Sequence, residues 1–313
     1  MSLAAMEREI ENQPEDLAMF AKQLTKNPVT PLDPSKTIFA GSGDSFATAL
    51  WAEALSNGSA RAEDPYELSR TLGMAANRNI VLISASGRTR ANVELARKLK
   101  GQARKRIAVT SDPESPLARI CDTSIMLQYR NSRRLTSGTT SFTSGLLACA
   151  RLIGRPLHTA NLEALLSRAM ERARSLKLST QGLSLFIGSG IGRGLAEYGA
   201  CKVQEVLGAR AQAQYPEQVG HAQLFSLDPA RDNILWVDSG STGKGSEVAH
   251  RTRRYGFRVH RVSATGKNIV AKSLAISFQL QYLTLLNAKR LGMNECAFLQ
   301  DRRLLELSNR LIY

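Results

Sequence analysis

One local pattern occurs twice in this chain. Phe39-Ala40-Gly41-Ser42-Gly43-Asp44-Ser45 is answered by Phe186-Ile187-Gly188-Ser189-Gly190-Ile191-Gly192, each after an apolar stretch that reads as a strand. Val81-Leu82-Ile83-Ser84-Ala85-Ser86-Gly87-Arg88-Thr89 is answered by Ile234-Leu235-Trp236-Val237-Asp238-Ser239-Gly240-Ser241-Thr242, and Ala60-Arg61-Ala62 by Ala209-Arg210-Ala211. Three landmarks in the same order, displaced by about 150 residues, describe a duplicated domain of ordinary size rather than a solenoid of short repeats. Ser/Gly turns after strands suit a protein that holds phosphate.

The 313 residues, 43% of them hydrophobic, are enough for two cores of typical domain size. No run of 18 uninterrupted apolar residues exists; the best stretch, Leu274 to Leu286, is broken by Ser277, Gln279 and Gln281, so no membrane partner is expected. The charged start, Met6-Glu7-Arg8-Glu9-Ile10-Glu11, lacks the apolar centre of a signal peptide. Cys121, Cys149, Cys201 and Cys296 show no C-x-x-C spacing and only four histidines accompany them, so no metal and no disulfide framework is expected, and a cytoplasmic setting is. The net charge of +15 gathers at Arg97 to Arg106, Arg130 to Arg134 and Arg251 to Arg261. Such runs neutralise phosphates in nucleic-acid binders. Here few aromatics interleave and no helix-turn-helix or zinc motif is present, which favours solubility or steering of anionic metabolites over a nucleic-acid partner.

Strands are predicted at 37–40, 60–63, 79–84, 106–110 and 124–127, and again at 183–187, 209–212, 234–237 and 258–262. Helices are predicted at 45–55, 89–100, 140–153, 157–178, 196–207 and 271–291, with a helical turn at 117–120 and a helix over 6–26 interrupted at Gln13-Pro14. Alternation of this kind predicts an α/β fold: two tandem doubly wound domains, each a mostly parallel five-stranded sheet flanked by helices. The boundaries expected are an N-terminal helix to residue 30, a first domain over 31–155, a linking helix over 156–180, a second domain over 181–290 and a tail over 291–313.

A Gly-Ser-Gly turn lets the backbone approach an anion, and the helix behind it supplies unpaired N–H groups. Neither copy is a dinucleotide fingerprint, because Phe46 and Arg193 occupy the sixth position of G-x-G-x-x-G. Gly243-Lys244 is followed by Gly245, so it is no P-loop. Ser84-Ala85-Ser86-Gly87-Arg88-Thr89 is more telling: three hydroxyls and a glycine between strand and helix form a donor cluster suited to a phosphate monoester without metal or cofactor. The competing reading is that Ser86 or Thr89 simply caps the helix. The second copy has Val237 and Asp238 in the turn, and the carboxylate disfavours phosphate there.

Together with Thr139-Thr140-Ser141-Phe142-Thr143 and the leading Glu9-Ile10-Glu11-Asn12-Gln13-Pro14, which is similar to an E-I-x-x-Q-P motif, these turns resemble the sugar isomerase (SIS) domain family. The resemblance is narrower still to the double-SIS isomerase half of glucosamine-fructose-6-phosphate aminotransferase and its stand-alone relatives, and runs from residue 6 to about residue 294. It implies a phosphate site at Ser42, Ser84, Ser86 and Thr89, with Thr139 or Thr140 contributing. It implies a base at Glu205, in a Lys202-Val203-Gln204-Glu205 stretch similar to the family's K-x-K-E, moving a proton between sugar C1 and C2. It implies ring opening by His221, in Tyr215-Pro216-Glu217-Gln218-Val219-Gly220-His221-Ala222, acting at a partner subunit's site in a homodimer. Read from the residues alone, Glu205 is equally a surface carboxylate pairing Lys202 at i−3, and His221 a structural loop histidine.

The chain departs from the family at three points. Ala222-Gln223 replace the usual Gly-Pro, the Glu–His spacing is four rather than three, and Glu295 to Tyr313 contains no lysine for the Schiff base of the aminotransferase tail. With no glutaminase domain in this sequence, amidotransfer is not expected of it. The function expected is a phosphosugar isomerase or amino-sugar-phosphate deaminase acting on compounds such as glucosamine-6-phosphate or fructose-6-phosphate. The alternative is a non-catalytic phosphosugar-binding protein. On the enzyme reading the copies are unequal: the first is expected to grip phosphate and the second to supply the chemistry.

Overall fold

The structure is a computed structural model that describes residues 1–26, 29–240 and 243–313. Asn27 and Pro28 of the proline-rich lead, and Ser241 and Thr242 of the second copy's turn, lie outside the described residues. The first helix, α1 (Ser2–Lys26), runs unbroken through Pro14, against the interruption expected there. Met6, Ile10, Gln13, Leu17, Phe20 and Leu24 share one buried stripe at helical spacing. Pro14 is buried beside that stripe and removes only one backbone donor.

Thr37-Ile38-Phe39-Ala40 is buried at all four positions, the signature of a parallel strand covered on both faces. It forms β1 (Thr37–Ala40), followed by α2 (Asp44–Leu55), β2 (Arg61–Glu63), α3 (Pro65–Arg70), β3 (Asn79–Ile83), α4 (Arg90–Lys98), β4 (Lys105–Thr110), α5 (Pro116–Ile120), β5 (Thr123–Met126) and α6 (Thr140–Leu152). Starts are chemically marked. Asp64 accepts from the Tyr66 and Glu67 N–H groups ahead of Pro65, and Ser115 accepts from Ala118 N–H ahead of Pro116. The five strands are all parallel in the order β2-β1-β3-β4-β5. Ile38, Ile80 and Leu82 meet Val93, Leu95, Ala96 and Leu99 of the α4 segment in the core of this sheet; burying each large aliphatic side chain is worth roughly 1.5–3 kcal/mol.

The second sheet repeats the order with one strand fewer. After α7 (Leu162–Arg174) come β6 (Ser184–Gly188), α8 (Ile191–Lys202), β7 (Ala211–Gln214), α9 (Pro216–His221), β8 (Asn233–Asp238), α10 (Lys244–Arg254), β9 (Arg258–Ser263), α11 (Ile269–Arg290) and α12 (Arg302–Ile312). The parallel order is β7-β6-β8-β9. The α/β class with parallel sheets is as expected. The fifth strand expected in the second sheet is absent among the described residues, because Asn268 caps the 22-residue α11 immediately after β9 by accepting from Ala271 N–H. Although α11 is apolar and long enough to cross a membrane, most of its apolar window is buried inside the protein.

Local differences from the sequence reading have simple causes. The linking helix is confined to Leu162–Arg174, since Asn161 enters it in the left-handed region. α8 begins at Ile191, right behind the glycine turn. α3, α9, α10 and α12 were not anticipated, and α12 has no buried residue. By internal contacts the chain forms two compact units. One comprises Glu15–Arg130, Thr140–His158 and Arg303–Tyr313, with the five-stranded sheet; the other comprises Met1–Pro14, Asn131–Thr139 and Thr159–Arg302, with the four-stranded sheet.

Candidate functional site

In a sheet ordered 2-1-3-4, the chain leaves strand 1 on one side and strand 3 on the other, which opens a crevice at their carboxyl ends. In the five-stranded unit that crevice lies beyond Ala40 and Ile83, where the Gly41-Ser42-Gly43 and Ser84–Thr89 turns sit. Gly43 caps α2 at φ 58°, ψ −127°, a conformation open only to glycine, and Ser42 is exposed beside it. In the other turn the buried Ser84 Oγ accepts from Gly87 N–H at 3.1 Å and lies 3.0 Å from Thr89 Oγ1. Ser86 Oγ accepts from Arg88 N–H at 3.3 Å, and the Arg88 guanidinium is held by Asp112 at 2.8 Å. Gly87 is required twice over: its φ is 61°, and a Cβ there would stand 2.2 Å from Ser115 Oγ. Thr89 precedes the first turn of α4 but makes no side-chain cap bond. Its hydroxyl is turned to Ser84 instead, which leaves the first N–H groups of α4 without an intrahelical partner. The arrangement is a small basin of hydroxyls and helix N–H groups, able to hold a compact anion.

The four-stranded unit repeats the geometry with different chemistry. Gly190 caps α8 at φ 53°, ψ −131°, nearly the dihedrals of Gly43. At the end of β8, Asp238 accepts from Gly240 N–H at 2.9 Å and is paired with Arg261, which also lies over the Trp236 ring at 5.1 Å. Here the turn folds around its own carboxylate.

The same unit carries the chemistry-bearing cluster. α8 passes at Lys202 into a π-helical turn, Val203–Leu207, a form that recurs at functional sites because its extra residue re-aims side chains. Lys202 is fully buried, at 0% exposure, and donates to Glu205 Oε2 at 2.5 Å and to Ser137 Oγ at 2.8 Å. Ser137 in turn donates to Glu205 Oε2 at 2.7 Å. Both donors converge on one oxygen, so Oε1 of this carboxylate, whose side chain is 37% exposed, carries no hydrogen bond among the described residues. The i−3 pairing of Lys202 with Glu205 is present, but with a buried lysine rather than on an open helix face. A carboxylate fixed on one oxygen and open on the other can accept and return a proton.

His221 ends α9 with its side chain 71% exposed and 3.5 Å from Glu217, whose other oxygen meets Lys244 at 3.2 Å. Hydrogen bonding to Glu217 holds the Lys244 ammonium above the usual lysine range. A cleft of about 300 Å³ opens there, lined among others by Pro216, Val219, Leu224 and Arg251. Thr139 is buried and donates to Glu9 Oε2 at 3.1 Å, within the unit that holds Glu205; Thr140 opens α6 in the unit that holds the hydroxyl turn. Sequence reasoning missed Ser137, although it stands in the hydroxyl-rich run Thr136-Ser137-Gly138-Thr139-Thr140, and read Lys202 only as a pairing partner. Burial pushes the Cys121 thiol up to about 12 and Cys149 higher still, which removes both as nucleophiles. Among the described residues no three His, Cys, Asp or Glu side chains gather as a metal site would need.

Comparison with known proteins places this geometry. Residues 33–153 match the family model of the SIS domain. No curated protein matches the sequence. Among solved structures, the chain is similar to glucosamine-6-phosphate deaminase from Thermotoga maritima, with 16% identity and a TM-score of 0.77 over 92% of this chain and 95% of that one. It is similar to the C-terminal domain of glucosamine-fructose-6-phosphate aminotransferase from Francisella tularensis, with 20% identity and a TM-score of 0.70 over 93% and 97%. It is likewise similar to tagatose-6-phosphate ketose/aldose isomerase from Escherichia coli, with 16% identity and a TM-score of 0.73 over 92% and 93%. One SIS domain is therefore identified at 33–153, and the fold of nearly the whole chain is shared with these structures.

Proposed function

We propose that the protein is a phosphosugar isomerase or amino-sugar-phosphate deaminase with two SIS domains, working by proton transfer between C1 and C2 of an open-chain sugar 6-phosphate. The observation that carries this reading is Glu205, held at Oε2 by the buried Lys202 and by Ser137, with Oε1 left open. Oε1 takes the proton from C2 of the aldose, the C–H pair becomes the C1–C2 double bond and the carbonyl pair moves to O1; the same carboxyl returns the proton to C1 while the O2 proton passes to O1, which gives the ketose. With an amino sugar, the equivalent shift yields an imine at C2, which water hydrolyses with loss of ammonia. Ser42, Ser84, Ser86 and Thr89, with the N-terminus of α4, are assigned the phosphate, and Thr140 is the remaining candidate contact. His221 is assigned ring opening from a second copy in a homodimer, an imidazole being suited to shuttling a proton near neutral pH. Its exposure, together with that of Phe225 four residues on, supports the dimer.

The fold shared with a deaminase and an isomerase of sugar phosphates supports the same reading. The lysine-free tail from Glu295 to Tyr313 favours binding without turnover as the second reading. A panel of aldose, ketose and amino-sugar 6-phosphates, assayed for isomerisation and ammonia release, separates them. Turnover that falls about 100- to 10,000-fold in Glu205→Gln while binding persists supports the enzyme. Binding with no turnover, unchanged in Glu205→Gln, overturns it.

A further inference from the structure

Gln13 sits fully buried in the apolar stripe of α1, where an amide is costly unless its hydrogen bonds are met. Its Nε2 donates to Gln281 Oε1 at 2.7 Å. Gln281 Nε2 donates onward to Tyr198 Oη at 3.0 Å and to the Thr139 carbonyl at 3.4 Å, and Tyr198 Oη donates to the Gly138 carbonyl at 2.9 Å. One turn earlier on the same helix, Glu9 Oε1 accepts from Ser132 N–H at 3.2 Å and from Ser132 Oγ at 2.7 Å, while its Oε2 accepts from Thr139 Oγ1. The i, i+4 spacing of Glu9 and Gln13 thus anchors both ends of one segment, Ser132 to Thr139. Between the anchors stands Ser137, the residue that bridges Lys202 and Glu205. Arg133 lies inside that segment at φ 54°, a conformation costly for arginine, with its N–H donating to Asn131 Oδ1 at 2.8 Å.

We propose that Glu9 and Gln13 are positioning residues for the Glu205 carboxylate: they fix the Ser132–Thr139 segment so that Ser137 reaches Glu205 Oε2 and leaves Oε1 aimed at substrate. The proposal rests on the reading of Glu205 as the proton-transfer base. It explains why two polar side chains occupy the buried face of a helix remote in sequence from the site. A segment loosened at either anchor lets the Ser137 hydroxyl swing away, and the carboxylate loses one of the two donors that orient it. Small misplacements of a catalytic group are expensive, because the reacting atoms must start within near-contact geometry.

The test is a double-mutant cycle. Glu9→Ala, Gln13→Leu and Ser137→Ala are each expected to lower kcat about ten- to a hundredfold, with KM changed less than about threefold. Glu9→Ala combined with Ser137→Ala is expected to cost no more than either alone, and Glu9→Gln, which keeps one acceptor and the shape, to restore much of the rate. Tryptic cleavage after the exposed Arg133 and Arg134 is expected to quicken in Glu9→Ala and Gln13→Leu but not in Ser137→Ala. Additive losses in the double variant, a rise in KM matching the fall in kcat, or unchanged cleavage in both anchor variants would overturn the proposal. If the native protein turns over no sugar phosphate, the functional reading falls by itself. The cycle is then read in the thermal midpoint, where coupling of Glu9 with Ser137 supports the anchoring and additivity rejects it.

Discussion

The two sheets end their third-ordered strands in turns of opposite content. After β3 the turn offers Ser84, Ser86 and Thr89, with Arg88 drawn aside by Asp112. After β8 it offers Asp238, already matched by Arg261 and by Gly240 N–H. One turn back, after β1 and β6, Gly43 and Gly190 cap the following helices with nearly the same dihedrals. Side chains decide which basin is open. The difference teaches that a shared strand order does not carry shared chemistry: the turn filled by its own carboxylate belongs to the unit that holds Lys202, Ser137 and Glu205.

Three experiments bear on this contrast. The largest effect is expected in affinity: Ser84→Ala combined with Thr89→Ala lowers sugar-phosphate affinity about 100-fold by calorimetry, each lost hydrogen bond to a charged group being worth about 1.5–3 kcal/mol. Ser239→Ala changes it less than about twofold; an equal loss there would break the contrast.

A smaller effect falls on stability. Gly87→Ala, at φ 61° with Ser115 Oγ 2.2 Å from the new methyl, is expected to cost about 2–3 kcal/mol in denaturant unfolding. Gly240→Ala, whose new methyl meets only the flexible end of Lys272, costs about 1 kcal/mol. Equal costs would mean that the two turns are equally constrained.

The smallest effect concerns pH. Hydrogen bonds from the Arg106 side chain hold the Asp122 carboxyl below the usual carboxylate range. Its contribution is complete above the unfolded value and is lost as pH falls through the folded one. Asp122→Asn should lower stability at pH 7 by less than about 1 kcal/mol for so exposed a carboxylate, read as a lower thermal midpoint, and the gap should close as pH falls through the folded value. A gap that widens in acid would contradict the assignment.

Much of this was legible from local pattern. Buried β-runs such as Thr37 to Ala40 and the glycines behind them are set by neighbours in sequence, and their positions were read to within a few residues; the i−3 spacing of Lys202 and Glu205 was visible too, but not the burial of the lysine. What escaped was long-range. Ser137 meets Glu205 across 68 positions and Thr139 meets Glu9 across 130, and no periodicity encodes such pairings. Pro14 misled because a helix break follows from the local bond it removes, whereas the buried stripe from Met6 to Leu24 sustains the helix. α12 was missed although Leu304, Leu307 and Leu311 recur at helical spacing; all three are exposed.

The central claim is that Glu205 carries a proton between adjacent sugar carbons. It is tested most directly by incubating the protein with the 6-phosphates of the panel in deuterium oxide and following recovered sugars by proton NMR. The account predicts deuterium at C1 or C2 with the native protein and none above background with Glu205→Gln. Sugar recovered free of deuterium from the native protein, or labelled equally by the Glu205→Gln variant, would contradict it.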